Sequence, residues 1–281
     1  MSTIQELFQK GRLLLQDLPL PELEAKLLFL KSSSLVEEQF YSSPEKKVSR
    51  KEERQFFKLV SKRRSGFPLS YLTGIKEFWS IPFRISHGIF IPRPETELIV
   101  EKVLELSSER EETIVDIGTG CGNIAISLAK EMPQVRIIAT DISQKILKMA
   151  RQNASLQKAS GITFARGSLF LPLKKLGLEK RCDFIVSNPP YVSEEEWERL
   201  PLEIRNHEHK SAVKAGVTGL EVIHKLIQGA PLYLKPGGYL LIEIGEGQRE
   251  DVISFFGSEW SEVKCYSDLS RIPRVVVAHR A

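Results

Sequence analysis

Residues 187–193 read SNPPYVS and directly follow an apolar run, RCDFIV (181–186). A Pro-Pro pair suits neither a helix interior nor a central strand, because proline lacks the N–H and fixes φ. Two readings of Asn188-Pro189-Pro190-Tyr191 stand side by side. One is a rigid turn closing a strand. The other is a stiff polar clamp at the carboxyl end of a parallel strand, where α/β proteins place their chemistry. A second stretch, VDIGTGCGN (115–123), brings Gly118, Gly120 and Gly122 together with Thr119 and Cys121. Glycines passing from a strand into a helix let the backbone approach a ligand and turn sharply into the helix N-terminus. The G-x-G-x-G spacing differs from the dinucleotide fingerprint G-x-G-x-x-G, and no Lys-Ser/Thr follows, which excludes a phosphate-binding P-loop. The next run, ATDIS (139–143), puts Asp141 23 residues past Gly118. A carboxylate there can accept from both hydroxyls of a ribose, or cap the following helix. Asp116, just before the loop, can orient loop amides or meet a ligand's ammonium group. Loop and acid together point to a nucleoside-bearing cofactor.

These residues need strands and helices in alternation to hold them. From residue 94 onward the pattern supplies that. Candidate strands are TIVDIG (113–118), VRIIATDI (135–142), GITFARGS (161–168), RCDFIVS (181–187) and GYLLIEIG (238–245), followed by VKCYSD (263–268) and PRVVVAHR (273–280). NIAISLAKEM (123–132) and SQKILKMARQNASLQ (143–157) are helical between them. The last two strands are joined by only about five residues, too few for a parallel crossover, so the last strand runs antiparallel. The expectation is a doubly wound α/β sheet of seven strands with one reversed strand. Residues 67–93 alternate aromatic and β-branched with polar residues, broken by Gly and Pro, and suggest a hairpin between two domains. Residues 1–72 carry helical patterning. Leu23, Leu27, Leu28 and Leu30 fall near one face of a helix opened by Pro21, and Ser49 with Glu52 forms a capping-box pattern closed by Gly66. The expected division is therefore a helical domain over 1–72, a β-hairpin linker over 73–93 and a catalytic domain over 94–281.

Bulk properties bound the possibilities. The chain of 281 residues is 42% hydrophobic and 27% charged, ordinary globular composition. No apolar run reaches the roughly 18–20 residues of a membrane span, and the first residues read as an amphipathic helix rather than a signal peptide. Three widely spaced cysteines, Cys121, Cys182 and Cys265, make neither a metal cluster nor a disulfide framework and suit a reducing cytoplasm. Residues 1–74 hold 13 Lys/Arg against 9 Asp/Glu, whereas the remainder holds 27 of each. That mild basic excess suits either a solvated helical surface or an acidic partner. His207 and His209 form an H-x-H pair with no third ligand nearby, so no metal site is expected.

Glycine loop, ribose acid and Asn-Pro-Pro-Tyr after the fourth strand together resemble a class I S-adenosylmethionine-dependent methyltransferase. The tetrapeptide resembles that of enzymes methylating a planar nitrogen. FIPRPETELIVEKVL (90–104), the preceding hairpin from Ser70, and DLSRIPRVVVAHR (268–280) narrow the resemblance to the protein-(glutamine-N5) methyltransferases that modify class I peptide-chain release factors. The resemblance covers essentially the whole chain. It implies S-adenosyl-L-methionine as cofactor, held by Gly118, Thr119, Gly120, Cys121, Gly122, Asp141, Ser168, Leu169 and Asn188. It implies catalysis and substrate binding by Asn188, Pro189, Pro190 and Tyr191, with Arg93 and Glu95 also at the substrate. It implies a release-factor partner. The bulk properties add the expectation of a cytoplasmic protein with no membrane and no stable nucleic-acid contact, and a monomer is expected because nothing in the sequence demands a dimer. Two stretches depart from the family pattern. GSLF (167–170) has Ser168 where an acid is usual, and EHKSAVKAGVTGL (208–220) has His209 and Ala215 in place of the usual Pro and Gly.

The tetrapeptide suits that chemistry. A glutamine amide nitrogen is a poor nucleophile because its lone pair is delocalised. The Asn188 side-chain carbonyl and the Pro189 main-chain carbonyl can hold both N–H groups and favour the positive charge that develops on nitrogen, while the Tyr191 ring lies against the flat amide. No general base is required, since the methylated nitrogen is strongly acidic. An adenine-N6 methyltransferase is the nearest rival, but it needs base flipping and a broad basic face. A non-catalytic translation-factor scaffold is the rival from another class.

Overall fold

Near-continuous apolar runs such as TIVDI and CDFIVS become strands buried on both faces, as parallel strands flanked by helices must be. In the computed structural model, which describes residues 1–108 and 111–281, nine strands occur in chain order. They are β1 (Ile75–Phe78), β2 (Ile81–Arg84), β3 (Thr113–Ile117), β4 (Arg136–Asp141), β5 (Ile162–Arg166), β6 (Cys182–Ser187), β7 (Leu234–Glu243), β8 (Trp260–Ser267) and β9 (Pro273–Arg280). β1 and β2 pair alone, and the other seven form one sheet in the order β5-β4-β3-β6-β7-β9-β8. β3 to β7 pair in parallel, and β9 runs antiparallel to both β7 and β8. The single reversed strand expected from the short last connection is present, wedged between β7 and β8. That connection is held by Asp268, whose carboxylate accepts from the amides of Ser270 and Ile272 and from Arg274 Nε.

Strand order reverses at β3. The chain moves outward through β4 to β5, then returns to lay β6 on the other flank. The crevice at the carboxyl ends of β3, β4 and β6 is the switch point at which open α/β sheets bind ligands. Ser187 Oγ donates to the Ile117 carbonyl at 2.7 Å and ties two of those strand ends together.

The chain divides into two compact units, Met1–Ile75 with Pro201–His207, and Lys76–Leu200 with Glu208–Ala281. The first holds the helices Ile4–Leu14, Pro21–Ser32, Glu37–Ser42, Arg50–Arg64, Leu69–Thr73 and Leu202–His207. Its core gathers Leu7, Leu28, Phe29 and Phe56. Gly11 is a packing requirement, because a Cβ there would stand 2.3 Å from Phe56 Cζ. Capping boxes open the helices at Thr3 with Glu6 and at Ser49 with Glu52. The Pro21 helix differs from expectation in its buried face. Glu24, Ala25, Leu28 and Phe29 are buried while Leu23 is exposed. Glu24 is inside because Arg63 pairs with it at 2.5 Å, and Arg63 also donates to Glu203 and to the Phe67 carbonyl, both at 3.0 Å.

The hairpin is shorter than the 67–93 stretch suggested. Leu69–Thr73 is helical, starting after Pro68 and stopped by Gly74 at φ 80°. The hairpin itself spans Ile75–Arg84, turning at Trp79 and Ser80, both at positive φ. Glu97 steadies the turn by accepting from the Trp79 amide at 2.7 Å. Among the described residues, no helix is long and apolar enough to cross a membrane.

Candidate active site

After β3 the chain turns at Gly118, whose amide and that of Thr119 donate back to the Thr140 carbonyl at 2.9 and 2.8 Å. The turn needs positive φ at Gly118 (77°), Gly120 (56°) and Gly122 (90°), which L side chains disfavour. The three glycines are not equivalent. A Cβ on Gly118 or Gly120 would meet nothing within 4 Å, whereas one on Gly122 would press against Ile126 at 2.8 Å. The first two therefore border open space, and the third packs the loop against its helix. Asp116 is fully buried beneath the loop and accepts from the Thr119 hydroxyl at 2.6 Å, so of its two expected roles the structure shows loop bracing. Burial pushes its carboxyl up to about 7, opposed by the Thr119 hydroxyl and the Ala125 amide. Cys121 is a small buried side chain rather than an activated thiol, since burial pushes it up to about 12.

Asp141 ends β4. Its Oδ1 accepts from the Ser143 amide at 2.9 Å and its Oδ2 from the Gly120 amide at 3.3 Å. The helix cap is Ser143, which accepts from Ile146, so Asp141 faces the loop instead of capping. Burial raises its carboxyl above the ordinary aspartate range. Asn153, buried in the next helix, donates to the carbonyls of Cys121 and Arg84 and accepts from the Arg84 amide, joining β2 to the glycine loop.

Asn188 and Tyr191 leave the end of β6 into a set of groups that sequence reasoning missed. Asn188 Nδ2 donates to Thr96 Oγ1 at 2.9 Å, and Thr96 Oγ1 donates to Glu243 Oε2 at 2.6 Å. Tyr191 OH donates to Glu243 Oε1 at 3.2 Å. Thr96 and Glu243 are each 1% exposed. Burial pushes Glu243 up to about 7, opposed by the Thr96 and Tyr191 hydroxyls and by Arg274, with Glu95 adding to the rise. Burial also raises the Tyr191 phenol. A signal for Glu243 exists in the sequence: it is the lone acid in the apolar run LLIEIG. Thr96 has none beyond its place in PRPETE. Gln248 was also missed; it donates to the Tyr191 carbonyl and accepts from the Gly245 amide, both at 2.8 Å. Pro189 is buried and Pro190 half-buried between them.

Of the remaining predicted residues, Arg93 and Glu95 act on this centre through their charges, and Ser168 and Leu169 follow β5. Arg93 pairs with buried Glu208 and covers the Phe90 ring at 5.1 Å, so it is anchored to the 208–220 stretch. That stretch lies along the chain after the tetrapeptide, where Val192 and Lys214 form a bridge and Gly219 leaves no room for a Cβ beside the Tyr191 carbonyl. Glu95 is half-buried and reaches Glu243 through its charge. Leu169 has φ 47° and packs on the sheet's core, and Ser168 accepts from the Leu171 amide through its carbonyl.

A glycine loop and a polar cluster flanking the switch point of a seven-stranded sheet with an antiparallel last strand define a class I methyltransferase. Residues 94–203 match the family model described as methyltransferase small domain, and residues 6–74 that of the PrmC N-terminal domain. The chain is 36% identical to the release factor glutamine methyltransferase of Koribacter versatilis, covering 94% of this chain and 93% of that one. It is 38% identical to that of Moorella thermoacetica, covering 83% and 81%. A solved methyltransferase from Pyrococcus furiosus shares the fold at 18% identity, with a TM-score of 0.51 over 80% of this chain and 97% of that one. The chain belongs to the release factor glutamine methyltransferase family.

Proposed function

We propose that this protein methylates the side-chain amide nitrogen of the glutamine in the Gly-Gly-Gln motif of class I release factors, with S-adenosyl-L-methionine as methyl donor. The observation that carries the reading is the polar cluster after β6. Asn188 gives its Nδ2 to Thr96, which leaves its carbonyl oxygen for a substrate N–H. The buried Pro189 contributes a second carbonyl on a stiff backbone, and Tyr191, tied by its hydroxyl to Glu243 and by its carbonyl to Gln248, contributes a fixed ring. Two acceptors and one flat ring suit a planar NH₂.

The cofactor fits the residues present. The open space beside Gly118 and Gly120 accepts a ligand close to the backbone, with Thr119 and Cys121 between them and Gly122 seating the loop. Asp141 is the acceptor for ribose hydroxyls, and Leu169 and Ser168 border the adenine side. Bound there, S-adenosyl-L-methionine would supply an electrophilic sulfonium methyl with a neutral thioether as its leaving group, and the methylated nitrogen would give up its proton to water. The chain's own residues hold the amide nitrogen in line and favour its developing positive charge.

Arg93 and Glu95 shape the approach beside the tetrapeptide, and the helices of residues 1–72 recognise the protein substrate. Labelled-methyl transfer to intact factor, to a free Gly-Gly-Gln peptide, to a Gln→Asn factor and to duplex DNA tests the reading. Intact factor is labelled most strongly, the peptide weakly and the Asn factor almost not at all. Equal labelling of the Asn factor, or preference for DNA, overturns it.

A further inference from the structure

We propose that Thr96 and Glu243 are positioning residues that fix which end of the Asn188 amide faces the substrate. The inference rests on the reading of Asn188 as part of the amide clamp. A threonine hydroxyl has one proton to give and lone pairs with which to accept. Glu243 Oε2, 2.6 Å away, takes that proton, because an ionised carboxylate only accepts. Thr96 then has only lone pairs to offer Asn188, so Asn188 must present Nδ2 to it, at 2.9 Å. The opposite end of the amide, Oδ1, is thereby committed to the substrate side. Tyr191 adds to the same bias by donating to the other carboxylate oxygen.

The relay crosses three separate pieces of chain: β7 through Glu243, the Pro94–Thr96 turn, and the segment after β6. With both Thr96 and Glu243 buried, water has little access to substitute for either partner. A proton on Glu243 would reverse the direction. The carboxyl could then donate to Thr96, whose own proton would go to Asn188 Oδ1 and turn the amide. Two N–H groups would then confront the substrate's NH₂, a donor–donor clash in place of an acceptor.

Glu243 is placed to be sensitive to pH. The charged and titratable groups facing it are Tyr191 from the segment after β6, Glu95 from the turn before the helix Glu97–Leu106, and Arg274 on β9. Arg93 lies near enough to act on Tyr191. Burial, with Glu95 acting in the same direction, outweighs the Thr96 and Tyr191 hydroxyls and Arg274 and holds the carboxyl at about 7. The amide is therefore set correctly above neutrality, and the setting is lost on acidification.

The test uses the full chain, intact release factor and kcat and KM profiles from about pH 6 to 9. Thr96→Val keeps the volume and removes the hydroxyl; kcat falls about 100-fold, with cofactor affinity by calorimetry within about twofold of wild type. Thr96→Ser restores most of that loss. Glu243→Gln cannot take up a proton in this range. Its carbonyl accepts from Thr96 at every pH while its NH₂ donates to Tyr191, so the acid limb near neutrality disappears. Thr96→Val with wild-type kcat, or Glu243→Gln retaining the acid limb, overturns the proposal. Should Thr96→Val not fold, the Glu243→Gln profile and the Thr96→Ser rate decide it. A wild-type enzyme that leaves the factor unmethylated overturns the functional reading instead.

Discussion

Asn188 is held by one end and offers the other, and that predicts how its replacements behave. Asn188→Ala removes both the anchor on Thr96 and the acceptor, and should lower kcat by about 10²–10³-fold if orientation dominates the barrier. Asn188→Asp should fare no better, because it sets a second acceptor against a hydroxyl whose single proton Glu243 already takes. Single-turnover rates at saturating cofactor check both. Asp116 gives a prediction about stability. Its folded pKa, about 7, lies above the unfolded aspartate value, so the stability it contributes is complete below about 4 and is lost as pH rises through about 7. Asp116→Asn should flatten the pH dependence of the melting temperature across that window, and an unchanged slope would contradict the assignment. The tetrapeptide, the glycines and Asp141 could be singled out in the sequence because each has a local chemical signature. Thr96 could not, since its significance lies in meeting Asn188 across a gap of 92 residues, and Glu243, though marked as the lone acid of an apolar run, gives no local sign of its partner Thr96, 147 residues away.

The elements show the same division between local and distant causes. Strand runs at β3 and β6 were legible because parallel strands buried on both faces leave continuous apolar sequence. The capping box at Ser49 was legible for the same local reason. The buried face of the Pro21 helix was not. Leucines lie around its circumference, and the face that turns inward is chosen by Phe56 and by the Arg63–Glu24 pair from another helix. The hairpin's true length was hidden because Pro68 and Gly74 bound a short helix inside an aromatic-rich stretch. Asn153 illustrates an element acting on the site from behind. Asn153→Ala would strand the Arg84 amide and two carbonyls in a buried place. It should cost about 2–3 kcal/mol by urea unfolding and weaken cofactor affinity together with stability. Loss of neither would mean that β2 does not support the glycine loop.

On the scale of the whole molecule, the proposed function gives the two units different tasks. The residues proposed for methyl transfer belong to the unit that contains the sheet. The helical unit carries none of them, but it exposes Leu20 (59%) and Leu23 (42%). If this unit recognises the factor, Leu20→Asp with Leu23→Asp should raise KM for intact factor about tenfold. Cofactor affinity and the rate with a short Gly-Gly-Gln peptide should stay as they were. A change in cofactor affinity would show that the tasks are not separate. Pro201–His207, which clusters with the helices and not with the sheet, follows the Asn188–Tyr191 tetrapeptide in sequence, and no periodicity in the sequence marks it as helical-unit material. The most direct measurement of the central claim is the mass of the release-factor tryptic peptide containing Gly-Gly-Gln after incubation with this protein and S-adenosyl-L-methionine. The account predicts a gain of one methyl, placed by fragmentation on the glutamine side-chain nitrogen, and no gain with Asn188→Ala. An unmodified peptide, or a methyl on any other residue, would contradict it.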